Sequence, residues 1–237
     1  MSITSAPPSK RPSRGRERVF ADLHIHTRCS PDSLMDPAKV VRIARKRGLA
    51  AIAVTDHGTI RGGLLAREAG RDGDVTVIVG AEIRTEYGDL IGLFLEEEIV
   101  ARRFDDVVSE IHAQGGLVVL AHPYRQYPFP GHLAGKVDLI EGFNSRSRPS
   151  TNVRATGLSR TCGKGATGGS DAHTYAEIGR GVTAFAGDDL EKALRAGLTT
   201  GSGRESNYYL VHALSCGIER LKRLTGTGTP PPTITAR

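Results

Sequence analysis

Short apolar runs alternate with amphipathic stretches along this 237-residue chain. Continuous apolar runs such as AIAV, VIV and LVVLA are typical of strands that are buried on both faces. Between them, residues 38–48 and 104–116 place apolar side chains at helical spacing and end in glycine. Strands that alternate with helices predict an α/β fold with a mostly parallel sheet, and residues 82–95 predict a hairpin within it. About seven or eight such units between residues 19 and 203 predict a single distorted barrel domain.

The two ends of the chain differ from this middle part. Residues 1–18 and 226–237 are rich in Pro, Ser, Gly, Thr and basic residues, which predicts disordered tails. Residues 204–225 predict a C-terminal helix that packs on the barrel. Its apolar residues at 209, 210, 211, 214 and 218 form a stripe that we expect to dock on the barrel or on a second subunit.

Charge and composition narrow the function classes. The net charge of +6 lies in the ends, because residues 1–18 hold five basic and one acidic residue and residues 204–237 hold five and two. The middle part therefore carries a net charge of −1, which does not favour a nucleic-acid partner. No apolar run approaches the roughly 18 residues of a membrane span, and no secretory signal is recognisable. Three widely spaced cysteines do not form a disulfide framework, so we expect a cytoplasmic protein.

Polar residues of metal-binding type stand where several predicted strands end. His24 and His26 are two residues apart, as are Asp171 and His173, so each pair lies on one face of an extended segment. The other residues of this kind are His57, Glu82 and His122. Imidazoles and carboxylates bind Zn, Mn and Fe, and barrel enzymes collect such ligands from separate strand ends at one face. The sequence therefore predicts a multinuclear metal site that performs hydrolysis.

Two further acids lie close to these positions. Asp32 lies in the loop after the first strand, which must cross the metal face, so we expect it to bind metal. Asp56 precedes His57 and should point to the other side of its strand end. We expect Asp56 to orient a ligand imidazole rather than to bind metal itself.

Five strings in this order, DLHIHTRCSPDS, AVTDHGT, GAE, AHP and GGSDAH, resemble the PHP (polymerase and histidinol phosphatase) superfamily over about residues 19–185. The resemblance implies a distorted β/α barrel with seven strands, two or three divalent metal ions (Mn, Fe or Zn) and hydrolysis of phosphate esters. It also implies that Glu82 bridges metals. The metal ligands implied by the matching positions are His24, His26, Asp32, His57, Glu82, His122, Asp171 and His173.

The chain departs from the family pattern at two places. Asp89 stands where many members have a histidine, and Glu141 and Asn144 lie where many members have a His or Cys ligand. Both changes predict a weaker third metal position beside a stable dinuclear centre.

The expected chemistry needs no side-chain nucleophile. A metal-bound hydroxide would attack phosphorus, and Cys29 has no recognisable partner base, so we interpret it as a loop residue. Binding the phosphate calls for a fixed cation, for which Arg125 and Arg146 are the candidates. The candidate catalytic residues are Asp171, His173, His122, Arg125 and Arg146.

Four functions stay open at this point. The first is hydrolysis of a small phosphorylated molecule, such as a nucleotide or a sugar phosphate. The second is an exonuclease-like phosphodiesterase, which would need a basic, aromatic track leading to the site. The third is a non-catalytic metal-binding module, and the fourth is amide hydrolysis. The oligomeric state is open as well.

Overall fold

The computed structural model describes residues 18–125 and 131–226. Nine strands form one sheet with the order β7-β6-β5-β4-β3-β2-β1-β8-β9. The strands are β1 (Arg18–Ile25), β2 (Ala51–Val54), β3 (Thr76–Thr85), β4 (Gly88–Leu93), β5 (Leu117–Leu120), β6 (Leu139–Asn144), β7 (Gly165–Gly169), β8 (Gly181–Ala186) and β9 (Thr200–Gly203). The helices are α1 (Pro37–Lys46), α2 (Arg61–Gly70), α3 (Phe104–Ala113), α4 (Gly131–Ala134), α5 (Pro149–Thr161), α6 (Leu190–Arg195) and α7 (Tyr208–Thr225).

Strands β1 to β7 curl into a nearly closed barrel, as the sequence predicted. Most neighbours within it are parallel, whereas β4 runs antiparallel to both β3 and β5. The β3–β4 pair is the hairpin predicted at residues 82–95. The ends of β1 and β7 meet at a parallel bridge between Ile25 and Ala172, where the backbone N–H of His26 donates to the carbonyl of Ala172 at 2.9 Å.

Strands β8 and β9 extend the sheet beyond β1. β8 runs antiparallel to β1, and β9 runs antiparallel to β8. The predicted strand GVTAFAG is therefore present as β8, but it is antiparallel and lies outside the β1–β7 ring. Strand β9 has few apolar residues, and the apolar pattern did not predict it.

Helix α1 shows why the sequence pattern located most helices. The side chain of Asp36 accepts a hydrogen bond from the backbone N–H of Lys39 at 3.0 Å, Pro37 begins the helix, and Gly48 follows it at φ +69°. The helix buries its apolar stripe, which includes Val40 and Ala44, against the barrel. The helix therefore begins and ends where its capping residues indicate, and the face that it buries is the one that its apolar periodicity indicates.

Helix α7 packs differently from the prediction. Of the predicted stripe, Tyr209, Leu210 and Leu214 are 73%, 68% and 46% exposed, and Val211 and Ile218 are only half-buried. The two buried residues are instead the polar Ser215 and Lys222. The prediction that the whole stripe docks on the barrel is wrong, because hydrogen bonds with site loops hold inward the side of the helix that carries Ser215 and Lys222, and only Val211 and Ile218 of the stripe lie on that side.

The predicted tails lie almost wholly outside the described residues. Arg18 is the first residue of β1, and Gly226 ends α7 at φ +69°. Among the described helices, none is long and apolar enough to cross a membrane.

Candidate metal centre

The predicted ligands lie together at one end of the barrel. His24 and His26 lie at the end of β1, where Ile25 is the last strand residue, and Glu82 lies in the second half of β3. His57 and His122 follow β2 and β5. Because the parallel strands all run in one direction, these positions share the carboxyl-terminal face of the barrel.

The innermost ligands surround one small space. The Nε2 atoms of His24 and His26 are 3.0 Å apart. Both face Oε2 of Glu82, at 3.4 and 3.3 Å, and Oδ1 of Asp171, at 3.6 and 3.4 Å. Two imidazole nitrogens and two carboxylate oxygens thus converge on one position, and this combination of ligand atoms suits a divalent cation.

A second group of potential ligands lies nearer the loops. Oδ2 of Asp32 is 2.7 Å from Nε2 of His173 and 3.4 Å from Nε2 of His57. His26 completes this group, in which all four ligand atoms lie within 4.8 Å of one another. The structure thus brings the loop residue Asp32 to the centre, as the sequence led us to expect.

A third group extends the centre toward β5. Oε1 of Glu82 is 2.8 Å from Nε2 of His122, while its Oε2 is 3.1 Å from Nδ1 of His57. The group itself consists of His24, Glu82 and His122. The two oxygens of one carboxylate face different histidines, an arrangement that supports the expectation that Glu82 bridges two metal positions.

Histidines determine the charge of the buried acids. Burial would raise the pKa of Glu82, but His57 and His24 hold it well below its usual range. Burial acts in the same way on Asp171, whose pKa is held well below its usual range by His24 and Arg125. Both carboxylates are therefore ionised.

Glu141 and Asn144 support the ligands. Oε1 of Glu141 is 2.9 Å from Nδ1 of His24, and Oε2 accepts hydrogen bonds from the backbone N–H of His122 at 2.7 Å and from Nδ2 of Asn144 at 3.1 Å. A carboxylate on Nδ1 leaves Nε2 free to bind metal. Neither residue belongs to the three ligand groups found among the described residues. Sequence reasoning missed this role, although an acid inside the apolar strand LIEGFN was a usable signal.

Asp89 occupies the other place where the chain departs from the family. It is buried, forms an ion pair with Arg84, and has Oδ2 at 3.9 Å from Nε2 of His122. Burial and the neighbouring Glu82 raise the pKa of Asp89. Asp89 borders the centre beside His122 without joining the groups of potential ligands.

Two other buried acids accept hydrogen bonds from backbone N–H groups rather than from imidazoles. Asp56 accepts hydrogen bonds from the backbone N–H and the hydroxyl of Thr27 at 2.5 and 2.7 Å, so the expectation that it orients an imidazole is corrected. Asp22, which the sequence analysis did not single out, accepts from the backbone N–H of Ser170 and Gly179 at 2.9 and 2.7 Å. Burial raises the pKa of both Asp22 and Asp56 to about 6.

The backbone around the ligands is tight. His122 and Asp171 adopt left-handed conformations, with φ of 27° and 54°, which is unfavourable for residues with a Cβ and recurs at functional sites. A Cβ on Gly169 would lie 2.3 Å from the Cβ of His24 and 2.9 Å from Oε1 of Glu141. Only glycine at position 169 lets β7 approach β1 this closely.

The two candidate arginines differ in their surroundings. Arg125 donates to Oδ2 of Asp171 at 3.0 Å and to Oδ1 of Asn144 at 2.6 Å, and its Nε has no hydrogen-bond partner among the described residues. Arg146 is 3% exposed and uses its nitrogens on Glu177, His173 and helix α7. The expectation that Arg146 binds phosphate is therefore corrected, because its guanidinium is already engaged.

Comparison with known sequences identifies the family. A model described as the PHP domain matches residues 22–156, and a model described as PHP-associated matches residues 149–202. The chain belongs to the PHP domain family. This confirms the resemblance that the five sequence strings carry.

Individual PHP relatives extend the comparison. An uncharacterised protein of Methanocaldococcus jannaschii is 40% identical over 144 residues, which cover 54% of this chain and 83% of that protein. An error-prone DNA polymerase of Mycobacterium tuberculosis is 39% identical over 87 residues, which cover 32% of this chain and 8% of the polymerase.

A solved structure shows the same fold. A two-domain protein from Bacteroides vulgatus, described as containing a predicted PHP-like metal-dependent phosphoesterase, aligns with a TM-score of 0.67 at 21% identity. The alignment covers 85% of this chain and 71% of that one. The PHP barrel is therefore confirmed at the level of the fold.

Proposed function

We propose that this chain hydrolyses a phosphate ester of a small molecule, such as a nucleotide or a sugar phosphate, at a centre of two or three divalent metal ions. One observation carries the proposal: the three groups of potential ligands overlap, because two of them share His26 and two of them share His24. Overlapping groups suit adjacent metal positions, and pairs of metals about 3.5–4 Å apart are typical of phosphoesterases.

The donor set fits Mn, Fe or Zn. It combines imidazole nitrogens with carboxylate oxygens and contains no thiolate, a set that suits these metals. The residues that would hold them are His24, His26, Asp32, His57, Glu82, His122, Asp171 and His173. Bound metals would supply activation of a water and neutralisation of phosphate charge.

Arg125 is the residue that we expect to bind the phosphate. Its Nη1 contacts Asp171, a metal-ligand candidate, and its Nε–H is buried without a partner among the described residues. A phosphate oxygen would satisfy that N–H, and a planar guanidinium matches phosphate geometry. His212 is half-buried near this arginine, and burial together with Arg125 and Arg146 lowers its pKa.

A specific surface feature favours the exonuclease-like alternative. The guanidinium carbon of Arg148 lies 4.9 Å from the ring centre of Tyr208, and that of Arg154 lies 4.0 Å from the ring centre of Tyr124. Paired aromatic and cationic groups are typical of surfaces that bind single-stranded nucleic acid. The matched segment of the DNA polymerase is consistent with this alternative.

A metal and substrate screen tests both candidates. The full chain is stripped of metal, reloaded separately with Mn, Fe or Zn, and offered phosphomonoesters and short oligonucleotides with free ends. We expect hydrolysis of monoesters with at least one metal. His122→Ala should abolish it, and His112→Ala is the matched control because His112 lies on α3 and pairs with Asp138 at 2.9 Å.

Three results would change the assignment. Shortening of oligonucleotides without monoester hydrolysis would favour the exonuclease-like alternative. Metal binding without hydrolysis of either class would favour a non-catalytic module. Equal activity of the His122→Ala and wild-type proteins would contradict the proposed centre.

A further inference from the structure

The two buried residues of helix α7 are polar. Ser215 and Lys222 are its buried members, while Leu210, Leu214 and Leu221 are exposed. A surface helix normally buries its apolar stripe, and a buried lysine is costly unless hydrogen bonds compensate it. The orientation of α7 is therefore set by specific polar contacts, and these contacts lead to the metal centre.

The first contact runs through Arg146. Its Nη2 donates to the carbonyl of Val211 at 2.6 Å and to Oγ of Ser215 at 2.8 Å, both on α7. Its Nη1 lies 2.9 Å from Nδ1 of His173, and its Nε donates to Oε1 of Glu177 at 3.0 Å. One buried guanidinium thus joins α7 to a candidate metal ligand.

Glu177 also holds the loop after β7, which carries His173. Its Oε2 accepts hydrogen bonds from the backbone N–H of His173 at 3.2 Å and of Thr174 at 3.0 Å. The ion pair of Arg146 with Glu177 is buried, so removing one partner would leave an uncompensated charge. The position of His173 therefore depends on where α7 holds Arg146.

The second contact runs through Lys222. Its Nζ donates to the carbonyls of Arg28 and Ser30 at 2.9 and 2.6 Å, in the loop after β1. Oγ of Ser30 donates to Oδ1 of Asp32 at 3.0 Å and lies 3.3 Å from Nδ1 of His26. Lys222 thus fixes the residue that positions two candidate ligands.

Both contacts reach the same group of ligands, which we call the loop-borne group and which consists of His26, Asp32, His57 and His173. The other side of the centre is held by β6, where Glu141 contacts His24 and the backbone of His122. We call that side the strand-borne group, and it consists of His24, Glu82 and His122. Among the described residues, the side-chain hydrogen bonds between α7 and the rest of the site run to Arg146, Arg28 and Ser30, and none of them reaches the strand-borne group.

We propose that helix α7 is a positioning element that sets metal affinity at the loop-borne group and not at the strand-borne group. The inference rests on the proposed metal centre, but it does not require that the centre hydrolyse phosphate esters. Lys222 and Ser215 act through Ser30 and Arg146, and neither binds metal itself.

Titration of the metal-free full chain with Mn²⁺, followed by calorimetry, tests this without any substrate. Lys222→Met and the milder Ser215→Ala should weaken one of two binding events by about 2- to 10-fold, because each variant removes hydrogen bonds that hold the support of a ligand and not the ligand itself. Arg220→Ala, at an exposed position of α7, is the matched control and should bind as the wild type does. Glu141→Gln should weaken the other event, and the Lys222→Met/Glu141→Gln double variant should weaken both. Circular dichroism of each metal-free variant checks that the fold is kept.

Several outcomes would overturn the proposal. One is wild-type affinity for both metals in Lys222→Met and Ser215→Ala. A second is that Glu141→Gln weakens the same binding event as the α7 variants do. A third is that the α7 variants weaken both binding events equally. A wild-type chain that binds fewer than two metals would overturn it as well. A chain that binds two metals and hydrolyses no phosphate ester would contradict the proposed function and leave the positioning role of α7 intact.

Discussion

The strand-borne and loop-borne groups differ in how they are built. His24, Glu82 and His122 are 1%, 2% and 6% exposed, and the strand residues Glu141 and Asn144 support them. In the loop-borne group, the side chains of Asp32 and His57 are 16% and 32% exposed. The barrel therefore encloses the strand-borne group, whereas the loop-borne group combines the buried His26 and His173 with two partly exposed ligands.

The largest effect should come from Asp171, which lies between the two groups. Its Oδ1 faces His24 and His26, and its Oδ2 accepts from Arg125. Asp171→Ala should abolish measurable turnover because it removes a ligand and the partner of the phosphate-binding arginine together. Release of phosphate measures this, with the exposed Asp72→Ala as control. Retained turnover in Asp171→Ala would show that the two groups do not act as one centre.

A smaller effect is expected where the strand-borne group loses its support. Glu141→Gln keeps the shape of the side chain but removes the charge that faces Nδ1 of His24. Metal affinity should fall by about 10- to 100-fold, the range observed when a carboxylate behind a ligand histidine is lost. Equilibrium dialysis measures it. An unchanged affinity would mean that the strands alone hold His24 in place.

The corresponding change on the loop-borne side should cost less. Ser30→Ala removes hydroxyl contacts of 3.0 to 3.3 Å to Asp32, His26 and the backbone of His57. Neutral hydrogen bonds contribute about 0.5–1.5 kcal/mol each, so affinity should fall about 2- to 10-fold. The same dialysis compares the two variants. A larger loss in Ser30→Ala than in Glu141→Gln would reverse the comparison between the groups.

The smallest effect is expected for Cys29, which lies in the loop after β1 and forms no hydrogen bond with a candidate ligand among the described residues. Burial and the neighbouring Asp56 raise the pKa of its thiol, so little thiolate forms near neutral pH. Cys29→Ala should keep turnover within about twofold. Loss of turnover in this variant, with metal content unchanged, would point to a covalent thiol mechanism instead.

Much of the fold and of the centre was predictable from local patterns. Apolar runs located the buried strands, and ligand-type residues at strand ends predicted which side chains meet. Parallel strands bring their carboxyl ends together whatever their order, so residues as distant as His24 and Asp171 could be paired without knowing the topology.

The supporting residues were less predictable, because their roles depend on partners far away in sequence. Glu141 and Asp22 are acids inside apolar strands, and only the folded chain shows that one contacts His24 and the other holds Ser170. Helix α7 illustrates the same limit. Its periodicity correctly predicts a helix, but the hydrogen bonds of Ser215 and Lys222 decide which side faces the barrel.

Turnover as a function of metals added back to the stripped full chain tests the central claim most directly. The account predicts that hydrolysis of a phosphate ester is absent without metal, and that most of the rate appears only as the second equivalent of Mn, Fe or Zn binds. Two metals acting on one phosphate explain this dependence. Full turnover in the stripped chain, or with one metal per chain at saturation, would contradict the account.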